Sequence, residues 1–323
     1  MKAVILEQPC TAQELTIYEV PLPKVKPGWV LVKVKAFGIN RSEIFTRQGD
    51  SPSVKLPRII GIECAGEIVD PSDSSFQKGQ RVVSLMGGLG REFDGSYAEY
   101  ALIPSAQVYP IDNKMDWVKL AAIPEMYYTA YASLFDTLML KKEDVLLIRG
   151  GTSSVGLAAL QLAKSIGATV ISTSRNKNKF ELLKQHGADF VLLDDETIQA
   201  QLHSLFPQGV TKVLELIGTA TLKNSLSMLK EKGILCFTGI LGGEWVLENF
   251  EPMGDIPSGC YLVPFDSGAN FKVKLLTDLF DHISQFDIEV PVAEVFTLAD
   301  ISQAHLLMES NRANGKIVVI NPE

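Results

Sequence analysis

The sequence predicts an α/β fold: a doubly wound parallel sheet carrying a dinucleotide site, joined to a separate, mostly-β domain. Three observations predict it. Residues 144–156, DVLLIRGGTSSVG, run from an apolar strand through a glycine turn into a helix start. Strand-like runs then alternate with helical stretches as far as residue 265, which implies a parallel sheet covered on both faces. Before residue 120 the texture differs, with short β runs broken by Pro and Gly.

In the first part, VLVKVKAFGI (30–39) alternates and sets Val30, Val32, Val34 and Ala36 on one face. IIGIECAGEIV (59–69), RVVSL (81–85) and SYAEYALI (96–103) are further strands. In the α/β part, Val145 to Ile148 form a buried strand and Gly150 and Gly151 the turn, while Gly156 lies where strand and helix pack closely. N–H groups at the new helix N-terminus face a pyrophosphate, and the helix dipole favours its charge. Val155, Ala159, Leu162, Ala163 and Ile166 make one apolar helical stripe. TVISTS (169–174), DFVLL (189–193), KVLELI (212–217), ILCFTG (234–239) and YLVPF (261–265) continue the sheet. Helices are expected over 177–186 and near 196–205 and 220–230. A helix near 271–285, a strand near 292–297, a helix near 299–309 and the strand KIVVI (316–320) close the chain.

Against the pattern G-x-G-x-x-G the loop reads Gly151-Thr152-Ser153-Ser154-Val155-Gly156, with Ser153 at the middle glycine. Its hydroxyl is a possible donor to phosphate. About 20 residues past such a loop, an Asp or Glu normally accepts from the 2′-OH of NAD. Here the second strand ends in Ser174-Arg175-Asn176-Lys177-Asn178-Lys179, and the next carboxylate is Glu181. Ser174, Arg175 and Lys179 suit a 2′-phosphate, hence NADPH. The alternative is a solvated basic helix start.

The chain has 323 residues, more than one typical core holds, and is 46% apolar and 21% charged. Its net charge of −8 argues against nonspecific nucleic-acid or anionic-membrane binding. No apolar run approaches a signal or membrane segment, so a cytoplasmic protein is expected. Cys10, Cys64, Cys236 and Cys260 are scattered, as buried thiols of a reducing compartment would be. His186, His203, His282 and His305 all fall in polar helical segments and read as surface residues.

Several motifs, in order, resemble the medium-chain dehydrogenase/reductase superfamily: MKAVIL, GINRSE (38–43), GIECAGEIV (61–69), KGQRV (78–82), GSYAEY (95–100), PEMYYTAY (124–131), the glycine loop and GKIV (315–318). The resemblance implies a GroES-like catalytic domain (1–122), a Rossmann NADPH-binding domain (123–265) and a C-terminal return to the catalytic domain (266–323). Zinc alcohol dehydrogenases of this superfamily carry a ligand Cys where Asn40 stands, and a ligand His at Ile62. A four-Cys lobe has no counterpart here either. The sequence therefore resembles the zinc-free quinone oxidoreductase (zeta-crystallin-like) branch, with no metal expected. That likeness maps Thr129, Ser153, Ser154, Val155, Ser174, Lys179 and Gly239 to cofactor contacts and sets Asn40 beside the nicotinamide. Two tyrosines of the branch are replaced, by Phe45 and Leu193, which leaves Arg175 to take over part of the phosphate binding. Glu63 follows an acidic position of the family and is read as structural, paired with a nearby base.

Without a metal, a quinone or enone oxygen must be polarised by hydrogen-bond donors, and Asn40 and Tyr128 are the candidates. Asn40 can equally cap the short helix near 41–47, and Tyr128 can be packing alone. An NADPH-dependent quinone or enone reductase and a nonenzymatic NADPH-binding protein both fit; a zinc alcohol dehydrogenase fits poorly. CYLVPF (260–265) reads as an apolar edge strand. Its family counterpart pairs across a twofold axis, so a homodimer is expected, unless the helix near 271–285 covers that edge.

Overall fold

The computed structural model describes residues 1–269 and 271–322. The chain divides into two compact units, Met1–Glu125 with the chain from Val290 onward, and Met126–Glu289. The first contains β1 (Lys2–Leu6), β2 (Ile17–Glu19), β3 (Trp29–Gly38), α1 (Arg41–Gln48), β4 (Arg58–Ile59), β5 (Glu63–Asp70), β6 (Arg81–Leu85), β7 (Tyr100–Pro104), β8 (Tyr109–Pro110) and α2 (Trp117–Ala121). The second holds α3 (Pro124–Tyr131) from Met126 onward, then β9 (Val145–Arg149), α4 (Ser154–Ser165), β10 (Thr169–Ser174), α5 (Phe180–Gln185), β11 (Phe190–Leu193), α6 (Ile198–Leu205), β12 (Val210–Glu215), α7 (Thr219–Ser227), β13 (Leu229–Phe237), α8 (Pro252–Asp255), β14 (Tyr261–Pro264) and α9 (Val273–Gln285). The first unit resumes with β15 (Val292–Thr297), α10 (Ile301–Glu309) and β16 (Lys316–Ile320).

In the first unit one mixed sheet runs β15-β16-β3-β5-β6-β8, with β7 also on β3, and a smaller sheet runs β2-β1-β4. β3 is central because one face is wholly apolar and the other sets the buried Leu31 and Phe37 beside Lys33 and a buried Lys35 that pairs with Glu67. Val30, Val32, Val34 and Ala36 have no exposed surface, and neither does Phe37 on the opposite side. The run 59–69 splits in two at Gly61, whose φ of +107° no strand tolerates. Tyr100 opens β7 later than expected, because Tyr97 turns away to bond Ile60 and Val4.

The second unit is one sheet in the order β11-β10-β9-β12-β13-β14, every pair parallel. β9 sits where the strand order reverses, the switch point at which such sheets bind ligands. β14 forms the edge, and Tyr261 on it is 56% exposed. Residues 266–289, expected to return to the catalytic domain, belong to this unit instead. The reason is α9. It buries Leu276, Leu279, Phe280 and Ile283. His282 bonds Ser165 at 2.7 Å, and Gln161 donates to Glu289 O at 2.8 Å. With α9 on one side and the sheet on the other, α4 buries Leu157 and Leu160 beyond its expected stripe. No helix among the described residues is long and apolar enough to cross a membrane.

Candidate functional site

In the second unit, the turn after β9 is shaped by backbone. Gly150 takes φ +81°. A Cβ at Gly156 would stand 2.5 Å from the Gly150 carbonyl oxygen and 2.8 Å from Gly151 backbone, so only glycine lets helix and strand meet there. Ser153 caps α4, accepting from the Gly156 N–H at 3.0 Å and donating to Gly150 O at 2.8 Å. The hydroxyl that sequence offers to phosphate is thus committed to the loop. Ser154 and Val155 open the helix half-buried, and their N–H groups have no protein partner among the described residues. Those are the groups a phosphate would take. Gly239, just past β13, donates to Glu215 O at 3.1 Å.

β10 ends in Ser174, whose hydroxyl accepts from the Asn176 N–H and donates to its carbonyl, each at 3.1 Å. Arg175 is exposed, and Lys179 is half-buried, its ammonium held below the usual lysine range by burial. The fold brings up one carboxylate that linear spacing misses. The Asp194 N–H bonds Ser174 O at 3.0 Å, because β11 pairs in register beside β10. Its carboxylate is already bound, however. Arg149 holds it at 2.6 and 3.0 Å, and the Thr173 hydroxyl at 2.8 Å. Arg149, almost fully buried, also donates to Asn224 Oδ1 at 2.8 Å. An arginine at the end of an apolar strand is the signal that marks it in the sequence.

α3 carries Thr129, half-buried, and Tyr128, which has no exposed surface. Tyr128 Oη accepts from the Lys272 N–H at 2.6 Å, and its ring lies 4.8 Å from that of Phe271.

In the first unit, Asn40 N-caps α1 in a capping box with Glu43, its N–H donating to Glu43 Oε2 at 3.0 Å. Its amide also reaches further. Nδ2 donates to Glu63 Oε1 at 2.8 Å, and Oδ1 accepts from Lys316 Nζ at 2.5 Å. Lys316 pairs with Glu63 at 2.6 Å, both without exposed surface. Glu63 Oε2 accepts from the Glu125 N–H at 2.8 Å. Glu43 is buried too, its carboxyl pushed up by desolvation while Lys316 pulls it down. The base expected beside Glu63 is therefore Lys316, at the head of the KIVVI strand. An ammonium opening an otherwise apolar strand is its signal in the sequence. The buried side chain of Ile62 offers no metal ligand, while its N–H donates to Glu43 Oε1 at 3.2 Å. Among the described residues no group of three or more His, Cys, Asp or Glu could hold a metal ion.

His305 is not the surface residue its helix suggests. It has no exposed surface and bonds Tyr97 Oη at 2.9 Å, because α10 turns Ile301, Ala304 and His305 inward. Burial, with the nearby Arg47, lowers its pKa to about 3.

Two family profiles match the chain, "Alcohol dehydrogenase GroES-like domain" over residues 26–113 and "Zinc-binding dehydrogenase" over 154–256. The quinone oxidoreductase of Sus scrofa is 32% identical over 229 residues, 69% of this chain and 68% of its own. A quinone oxidoreductase of Pseudomonas aeruginosa is 27% identical, with 91% of each chain covered. A mycobacterial structure complexed with NADPH is 26% identical with a TM-score of 0.88, over 99% of this chain and 100% of that one. A Pseudomonas syringae quinone oxidoreductase, 22% identical with a TM-score of 0.90 over 99% of both chains, shares the fold.

Proposed function

The chain belongs to the quinone oxidoreductase branch of the medium-chain dehydrogenase/reductase superfamily, and on that premise we propose that it reduces quinones or α,β-unsaturated carbonyls with NADPH, without zinc. The observation that carries the proposal is the glycine turn at the switch point of a wholly parallel sheet, with helix N–H groups left open and cations at the end of β10. The N–H groups of Ser154 and Val155 take the pyrophosphate. Gly239, which packs on Leu216 backbone, keeps the chain beyond β13 low enough for the cofactor to pass. Arg175 and Lys179, with Ser174, take the 2′-phosphate, and Asp194 does not repel it because Arg149 neutralises it. Thr129 completes the cofactor contacts. NADPH, when bound, supplies the hydride.

Asn40 is the donor assigned to the acceptor oxygen. It is partly exposed, whereas Tyr128 has no accessible surface with which to touch a ligand. Zinc independence is supported by the cation already present, since Asn40 Oδ1 and Glu63 Oε1 are committed to the Lys316 ammonium. The test is NADPH oxidation against a panel of quinones and enones, with metal analysis of the same sample. Turnover in metal-free protein is expected. NADPH binding without oxidation by any acceptor would leave a cofactor-binding protein instead, and activity restored only by zinc would refute the proposal.

The protein is a homodimer joined through β14, Tyr261 to Phe265 pairing antiparallel with the same segment of a second copy. An edge strand with Tyr261 exposed supports this.

A further inference from the structure

Of the Asn40 cluster only Asn40 itself has a part in the proposed reaction, and Lys316 is its one cation among the described residues. The carboxamide of Asn40 has two ends of similar shape and opposite character, a carbonyl that only accepts and an NH₂ that only donates. Which end faces outward decides whether Asn40 attracts or repels a carbonyl oxygen. An ammonium donates only and a carboxylate accepts only. Lys316 Nζ at 2.5 Å therefore selects Oδ1, and Glu63 Oε1 at 2.8 Å selects Nδ2. One amide N–H is thereby bonded to Glu63. The second has only Glu43 Oε1 at 3.5 Å, the outer limit of a hydrogen bond, and is available to a better acceptor.

The setting keeps the ammonium in place. Lys316 follows Gly315 into β16, its N–H bonded to Pro291 O at 2.7 Å, and β16 pairs with β3. Its chain crosses Gly38 so closely that a Cβ there would lie 2.2 Å from Lys316 Cε and 2.5 Å from Glu63 Oε1. Bare backbone at Gly38 makes the room in which the Lys316–Glu63 pair closes on Asn40.

We propose that Lys316 is a positioning residue, whose ammonium, paired with Glu63, holds the Asn40 amide with its N–H edge toward the acceptor oxygen. The inference rests on the proposed reduction and on Asn40 as its donor. With the pair removed, the amide is free to turn over, and a carbonyl would then face the acceptor oxygen.

Lys316→Met alone leaves two buried carboxylates unbalanced and can prevent folding, so the test uses Lys316→Met with Glu63→Gln, which removes both charges together. Turnover should fall about tenfold to a hundredfold, short of the roughly hundredfold to thousandfold that removing a donor outright costs, with NADPH affinity within about twofold of the parent. In an Asn40→Ala background the same pair of changes should lower turnover no further, since it acts through Asn40. Lys316→Arg, which keeps a donor to both partners, should recover part of the loss. In protein labelled with ¹⁵N at asparagine, the Asn40 amide signal, identified by its loss in Asn40→Ala, should have one proton protected from solvent exchange, the one bonded to Glu63. That protection should vanish in the double variant. An amide signal indifferent to Lys316, or losses that add to those of Asn40→Ala, overturns the inference and leaves the proposed reduction standing. A parent protein that reduces no acceptor overturns both, whereas turnover that ignores Asn40→Ala overturns the inference and the assignment of Asn40 as donor and leaves the reduction standing.

Discussion

At the β9–α4 turn the groups open to a ligand are backbone N–H groups, delivered by a contiguous stretch, Gly150 to Gly156. Around Asn40 the open group is a single side-chain amide, held from beneath by Glu43 and by the buried pair of Glu63 with Lys316. The first arrangement depends on missing atoms, since any Cβ at Gly156 strikes backbone. The second depends on compensation, since Glu63 and Lys316 are both sealed from water. The two should therefore fail in different ways.

The largest effect should come from breaking the compensation. Lys316→Met strands Glu63 and Glu43 in the interior and should cost about 3–5 kcal/mol in chemical denaturation. A loss under about 1 kcal/mol would mean that the cluster is not charged as drawn. At the turn, Gly156→Ala should cost about 1–3 kcal/mol through overpacking and also abolish nucleotide binding, as titration of protein fluorescence with NADPH can read. An alanine variant that binds NADPH normally would show that close approach is not needed there.

Acid should destabilise the first unit through a buried histidine. His305 is held neutral in the fold, its pKa about 3 against an ordinary 6.5. Its neighbours are Tyr97, which bonds it, and Arg47, itself paired with Glu309. Between those two pKa values the unfolded chain binds a proton that the folded chain refuses. Stability is therefore lost as pH falls from about 6.5 towards 3, by on the order of 2 kcal/mol at pH ~5. His305→Gln, which can still bond Tyr97 but does not titrate, should flatten that limb of the stability curve. An unchanged acid limb would assign the loss to other groups.

The smallest effect on the fold should come from the rim of the turn. Arg175→Ala with Lys179→Ala should leave the melting temperature nearly unchanged but weaken NADPH about tenfold or more, with NADH affected little. Equal weakening of both cofactors would sink the 2′-phosphate assignment. Val263→Lys on β14 belongs with it. It should turn a dimer into a monomer in light scattering without loss of the monomer fold, and a dimer that persists would place the interface elsewhere.

Much of the turn was legible because its information is local. TVISTS matches β10 residue for residue, and the glycine spacing locates the α4 N-terminus. Ser153 was legible as a loop residue but not as a cap, because its partners, Gly150 O and the Gly156 N–H, depend on the turn geometry. The Asn40 cluster was half legible. Family likeness pointed to Asn40 and to a base near Glu63, but no spacing rule connects residue 40 to residue 316. Asp194 and His305 were hidden for the same reason: one reaches Ser174 through strand order, the other Tyr97 through helix rotation.

By itself, then, the sequence determined what period and punctuation can encode: a parallel sheet from buried apolar runs, a phosphate-type turn from three glycines, and a mostly-β domain from alternation broken by Pro and Gly. Tertiary structure alone decided which polar groups meet. It placed α9 on α4 and so moved residues 266–289 into the dinucleotide-binding unit. It set Arg149 on Asp194 and Lys316 on Asn40 and Glu63. The physical reason is range. Backbone conformation and apolar periodicity act over a few neighbouring residues, whereas desolvated charges must find partners wherever packing brings them, however far apart in the chain.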